Sequence, residues 1–111
     1  MLARQNRLNK REVQSALKIG SRFFVKGATL VITPNNCGHA RFAVLVPKKM
    51  APSAHLRNRI RRVYYDCVAG EIKALGGRDF LIITREAVSS VDECEKRLKG
   101  AMDKIKSKQS L

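Results

Sequence analysis

The chain has 111 residues, a length that fits one domain, and carries 23 Lys/Arg against 9 Asp/Glu for a net charge of +14 and a pI near 10.5. With 44% hydrophobic residues it can build one ordinary core, but no apolar run approaches the length needed to cross a membrane. Met1–Arg11 is basic and lacks an apolar signal region, so a cytoplasmic rather than a secreted protein is expected.

In chain order, Asn9-Lys-Arg-Glu12 reads as a capping box that opens a helix over residues 10–19. Val13, Ala16 and Leu17 recur at helical spacing, and Gly20 is the stop. Residues 21–27 are irregular, with room for a further short strand. Ala28–Thr33 is rich in β-branched residues and predicts a strand, followed by turn signals at Pro34-Asn35-Asn36 and Gly38. Arg41–Val46 resumes strand character, so the two runs are expected to pair as a hairpin. Alternation puts Leu30 and Ile32 on one face, as it does Phe42, Val44 and Val46; Val31, Ala43 and Leu45 face the other way, onto a shallow surface.

Ser53 is an N-cap candidate for a helix running to about Ala74, with Leu56, Ile60, Val63, Tyr64 and Cys67 along one apolar stripe and Gly76-Gly77 as its end. Asp79–Thr84 holds a nearly continuous apolar run, which suits a strand buried on both faces. Ser90-Val-Asp-Glu93 is a second capping box. Cys94, Leu98, Ala101 and Ile105 then form the stripe of a last helix, and the Lys-rich tail after it is expected to fray. The order αββαβα predicts a single domain over residues 1–111. Its fold class is α/β of the α+β kind, a two-layer sandwich with helices packed on one mixed central sheet.

Charge is distributed unevenly along this order. Residues 1–65 carry 14 Lys/Arg and one acid, Glu12; residues 66–111 carry 9 Lys/Arg and 8 acids. Self-repulsion makes a one-signed surface costly unless a polyanion neutralises it, which points to nucleic acid. Neither a juxtamembrane basic cluster nor a lipid-inserting aromatic helix is present, so a membrane surface is not the expected partner.

The helix after Ser53 concentrates the charge. On a helical wheel His55, Arg57, Asn58, Arg59, Arg61, Arg62 and Tyr65 lie opposite the apolar stripe. Arg57 and Arg61 are one turn apart, so their repulsion weakens an isolated helix, and an external anion would offset that cost. The arginine fork binds phosphate bidentately and stacks on bases. Asn58 adds a donor and an acceptor. The competing reading is a merely solvated helix face. Lys48 and Lys49 close the preceding strand at the sheet edge. Phe23 and Phe24 are candidates for base stacking, with at least one expected in the core.

Three cysteines, Cys37, Cys67 and Cys94, are too scattered and odd in number for a disulfide framework. Cys37 and His39 lack a second pair to complete a metal site. No acid is spaced to work with a histidine, and no phosphate-cradling glycine loop occurs, so no catalytic residue is assigned and the polypeptide reads as a binder.

Lys48-Lys49, followed eight residues later by Arg57-Asn58-Arg59-Ile60-Arg61-Arg62, resembles the signature of the bacterial ribonuclease P protein subunit. Arg7-Leu8 before the first helix, the strand Arg41–Val46 and Asp79-Phe-Leu-Ile-Ile-Thr-Arg85 extend the resemblance over roughly residues 7–105. It implies a protein that binds the catalytic RNA of ribonuclease P and the 5′ leader of precursor tRNA. The protein then assists endonucleolytic removal of the leader, while the RNA, with magnesium (Mg2+), performs the hydrolysis. It implies no cofactor bound by the protein alone, no DNA partner, and a left-handed crossover in the sheet. By the same resemblance Lys48, Lys49, His55, Arg57, Asn58, Arg59, Arg61 and Arg62 meet the catalytic RNA. Arg7, Lys10, Arg11, Val13, Leu17, Val31 and Tyr65 are assigned to the leader cleft, with a place in the core as the alternative for Val13, Leu17 and Val31. The family often has aromatics where Val13, Leu17 and Val31 stand, and a small polar residue at Pro47, so weaker stacking on leader bases is expected. The alternative is a ribosomal or RNA-chaperone protein, which does not need the Lys-Lys and Arg-Asn-Arg arrangement. A DNA-binding regulator lacks its helix-turn-helix pair.

Overall fold

A computed structural model describes residues 4–70, 76–86 and 90–109, with side chains in the last helix through residue 103. A single helical turn, Arg4–Asn6, precedes α1 (Lys10–Ile19). Then come β1 (Ser21–Val25), β2 (Ala28–Pro34), β3 (Arg41–Leu45), α2 (Ala54–Ala69), β4 (Arg78–Thr84) and α3 (Val91–Gln109). This is the expected mixed α+β architecture, with a short strand in the stretch after Gly20.

The helix starts follow from their caps. Asn9 Oδ1 accepts from the Glu12 N–H at 2.9 Å, and Glu12 Oε1 accepts from the Asn9 N–H at 2.8 Å. Ser53 Oγ accepts from Leu56 N–H, and Ser90 Oγ from Glu93 N–H. Gly20 ends α1 for a reason other than backbone freedom, since its φ is −72°. A Cβ there would lie 2.4 Å from Val31 Cγ1 and 2.6 Å from Ala16 O. Glycine is what lets the end of α1 press onto β2. α2 is described as far as Ala69, with Gly70 at its cap; the expected continuation to Ala74 lies outside the described residues. The last helix takes in part of the Lys-rich segment, its described backbone running to Gln109.

The expected hairpin between Ala28–Thr33 and Arg41–Val46 does not form. The strand order is β1-β2-β4-β3, so β4 lies between them, antiparallel to β2 and parallel to β3. The reason lies in β4 itself. Phe80–Ile82 is buried on both faces, and only an interior position covers both. The hairpin that does form is β1–β2, turned by Lys26-Gly27 with Gly27 at φ +78°.

One face carries the main core. Leu30, Phe42, Val44, Phe80 and Ile82 pack against Ile60, Tyr64 and Val68 of α2 and Cys94, Leu98 and Met102 of α3. Phe42 and Phe80 are partners across β3–β4, and their rings stack at 5.1 Å. That adds about 0.5–1.5 kcal/mol beyond the burial itself. Leu56, expected in the α2 stripe, is instead 39% exposed. The other face is not an open shallow surface. Ala16 of α1 covers Val31, Ala43 and Leu81, flanked by Leu8, Val13 and Leu17, so α1 makes a partial third layer. The chain before α1 runs along the outer edge of β3, where Leu8 N–H donates to Phe42 O at 2.9 Å.

Candidate nucleic-acid interface

The α2 face and the turn before it form one basic unit. β3 ends at Leu45, so Lys48 and Lys49 do not close a strand as expected. They stand exposed in a turn in which Met50 and Ala51 N–H both donate to Pro47 O at 3.1 Å. Arg57 ties that turn to the helix. Its Nη1 donates to Ala51 O at 3.0 Å and Pro52 O at 2.8 Å. One arginine of the predicted set is therefore spent on fixing the lysines beside the helix entrance. Arg61 donates to Asn58 Oδ1, which occupies the acceptor of that amide. His55, Asn58, Arg59 and Arg62 are exposed, and Arg57 and Arg61 half-buried.

Acids near this basic half are taken up internally. Arg41 on β3 binds Asp79 through two nitrogens, Nε to Oδ1 at 2.8 Å and Nη2 to Oδ2 at 2.7 Å, and also pairs with Glu12 on α1. Asn35 Nδ2 donates to Asp79 Oδ1 at 2.7 Å. The hydrogen bond to Asp79, helped by the charge of Glu12, pushes the Arg41 guanidinium further up against burial. Glu12, the one acid of the first 65 residues, is thereby neutralised and leaves Arg7, Lys10 and Arg11 exposed around it.

Two residues expected in a cleft beside α1 are not there. Val31 is 0% exposed, sealed under Ala16 and Gly20, and has no surface to offer a ligand. Tyr65 is on α2 and packs against the main core, on the opposite face of the sheet from α1. Val13 and Leu17 are half-buried on one flank of α1, so each serves the core and keeps a solvent-facing edge. Phe23 packs against the main core, whereas Phe24 is 79% exposed on the α1 side. Among the described residues, no group of three or more His, Cys, Asp or Glu is placed to hold a metal ion, and no helix is long and apolar enough to cross a membrane.

A family model described as Ribonuclease P matches residues 2–106. The chain belongs to that family. Among curated relatives, the Ribonuclease P protein component of Pasteurella multocida is 31% identical over 77 residues, covering 69% of this chain and 63% of that protein. That of Photorhabdus laumondii is 33% identical over 64 residues, covering 58% and 54%. The chain thus spans less than two thirds of these relatives' length. Solved ribonuclease P proteins share the fold: one from Staphylococcus aureus superposes with a TM-score of 0.77 at 20% identity, covering 88% of this chain and 93% of that one. One from Thermotoga maritima gives 0.76 at 19% identity, covering 89% and 96%.

Two features were missed by sequence reasoning about this ribonuclease P family member. The anchoring role of Arg57 is a contact with carbonyls five and six residues back, which wheel geometry does not reveal. The role of Arg41 was also invisible, because nothing local signals that β4 brings Asp79 beside it.

Proposed function

We propose that this chain acts as the protein subunit of ribonuclease P, binding the catalytic RNA and the 5′ leader of precursor tRNA and assisting endonucleolytic removal of that leader. The observation that carries the reading is the Lys48-Lys49 turn fixed by Arg57 against the exposed arginines of α2, in a chain of the ribonuclease P family. Phosphates of the catalytic RNA meet Lys48, Lys49, Arg59 and Arg62, with His55, Asn58 and Arg61 beside them. The leader lies on the α1 side, along Arg7, Lys10, Arg11 and the open flank of Val13 and Leu17. The polypeptide positions RNA; the hydrolysis and its magnesium belong to the RNA in this reading.

The test is reconstitution with a bacterial ribonuclease P RNA and precursor tRNA at low magnesium. Stimulated cleavage at the mature 5′ end supports the reading. Absence of stimulation, together with equal affinity for unrelated structured RNAs, replaces it with that of a general RNA-binding or ribosomal protein.

A further inference from the structure

The register across the sheet aligns Phe24 with Thr29, Thr29 with Ile83, and Ile83 with Leu45. These four residues form one row on the α1 side of the sheet. The neighbouring row, Arg22, Val31, Leu81 and Ala43, lies two residues away, roughly 6.6 Å along the strands, and holds the residues beneath Ala16.

α1 has two distinct flanks. Glu12, Ser15 and Ile19 border a groove of about 340 Å³ with Thr33, Arg41 and Asp79, and its carboxylates are engaged by Arg41. Val13 and Leu17 stand on the other side of Ala16 by helical geometry, toward Leu45 and Ile83. The apolar flank of α1 thus opens onto the row that ends in Phe24.

The chain has four Phe, two Tyr and no Trp. Phe42, Phe80 and Tyr64 are buried, while Phe23 and Tyr65 pack against the core on the other face. Phe24 is the one exposed ring, and the one ring on the α1 side. A lone exposed apolar residue is ordinary on a protein surface. What sets this one apart is its place at the end of a row in which Leu45 and Ile83 are half-buried and Thr29, between Ile83 and Phe24, is buried, with Arg22 exposed two residues earlier on the same strand face and Lys26 exposed in the following turn. A flat ring between cations fits a base whose flanking phosphates need neutralising.

We propose that Phe24 is a stacking platform for one unpaired base of a single-stranded RNA, the strand continuing from the apolar flank of α1 across Leu45 and Ile83 to the β1 edge. This deepens the ribonuclease P reading and rests on it for the identity of the strand as a leader.

Two arms test it. The full chain is titrated with a single-stranded RNA oligonucleotide carrying a fluorescent aminopurine, and the reconstituted holoenzyme with precursor tRNA. Phe24→Ala is expected to weaken both by roughly 5- to 150-fold, the range for loss of one base–aromatic stack. Phe24→Leu should behave like alanine, Phe24→Trp like the native protein, and quenching of the aminopurine should disappear in the first two. At 79% exposure the ring contributes little to folding, so unchanged melting temperatures are expected throughout. A folded Phe24→Ala protein that binds the oligonucleotide as tightly as the native chain overturns the proposal. If the native holoenzyme shows no stimulation while the oligonucleotide loss persists, the ribonuclease P reading fails and the Phe24 contact stands.

Discussion

Arg41 and Asp79 are joined by a two-pronged ion pair between neighbouring parallel strands, with both side chains largely withdrawn from solvent. Removing one partner strands the other charge, and Glu12 loses its counter-ion as well. Asp79→Ala is therefore expected to cost about 3 kcal/mol, read as a lowered urea midpoint. Arg41→Met should cost a similar amount and also weaken RNA binding, because two carboxylates then face the α1 side uncompensated. A midpoint unchanged in both variants would show the pair to be energetically idle.

The arginines of α2 should separate by experiment. Arg59 and Arg62 are exposed, so their alanine variants should change stability by less than about 0.5 kcal/mol. Each should also lower the salt-dependence slope of RNA binding by roughly 0.7–0.9 per lost phosphate contact. Arg57→Ala should instead lose about 1 kcal/mol of stability, since two carbonyl contacts disappear. It should weaken RNA binding through a loosened Lys48-Lys49 turn. Identical behaviour of all three variants would contradict the division of labour.

Gly20→Ala places a methyl group 2.4 Å from Val31 Cγ1. The contacts with Val31 Cγ1 and with Ala16 O at 2.6 Å must both be relieved, so a loss of about 1–3 kcal/mol is expected, measurable as a lower melting temperature. Val31→Tyr should be worse, because that site has no free volume. A stable Val31→Tyr protein with tighter leader binding would show that α1 lifts from the sheet.

The buried side of α2–α3 predicts a pH dependence. Hydrogen bonding to Cys67, with burial, pushes the Cys94 thiol up; burial pushes the Tyr64 phenol up against the opposing Arg97. Both groups stay protonated in the fold where the unfolded chain would ionise. Stability is thus full below the ordinary thiol value of about 8.5 and falls as pH rises beyond it. The urea midpoint should hold from neutral pH to about 8 and decline toward 10, less steeply in Cys94→Ala. Alkylation followed by mass should find Cys37 modified in the folded protein, and Cys67 and Cys94 only after unfolding.

Much of this was legible in sequence for definite reasons. Asn9, Ser53 and Ser90 announce their helices because a cap is a contact within four residues. The doubly buried character of β4 shows in Phe80–Ile82. Partner choice did not show. β2 and β3 are neighbours in the chain and alternate compatibly, so a hairpin was the local answer, and only the demand of β4 for two neighbours displaces it. Of the two readings open for Val31, cleft or core, the structure selects the core: its alternation says which way it points, not that Gly20 lets a helix lie over it. Of the candidate interface, the Lys48–Arg62 charge pattern was plain; Phe23 and Phe24 were both visible as stacking candidates, but which of the two is exposed followed only from the strand register.

The position of β4 bears on how the molecule comes into being. The arginines of α2 are all in the chain by residue 62, yet the strand that gives β2 and β3 their neighbour begins at residue 78. Until then the sheet consists of one hairpin and an unpaired strand, which is marginal in water. Closing it requires contacts spanning about fifty residues on one side, an entropic step that precedes its reward. A growing chain would thus carry its basic face unsupported until the second half arrives, so the RNA contact proposed above would be timed by the part of the sequence with almost no net charge.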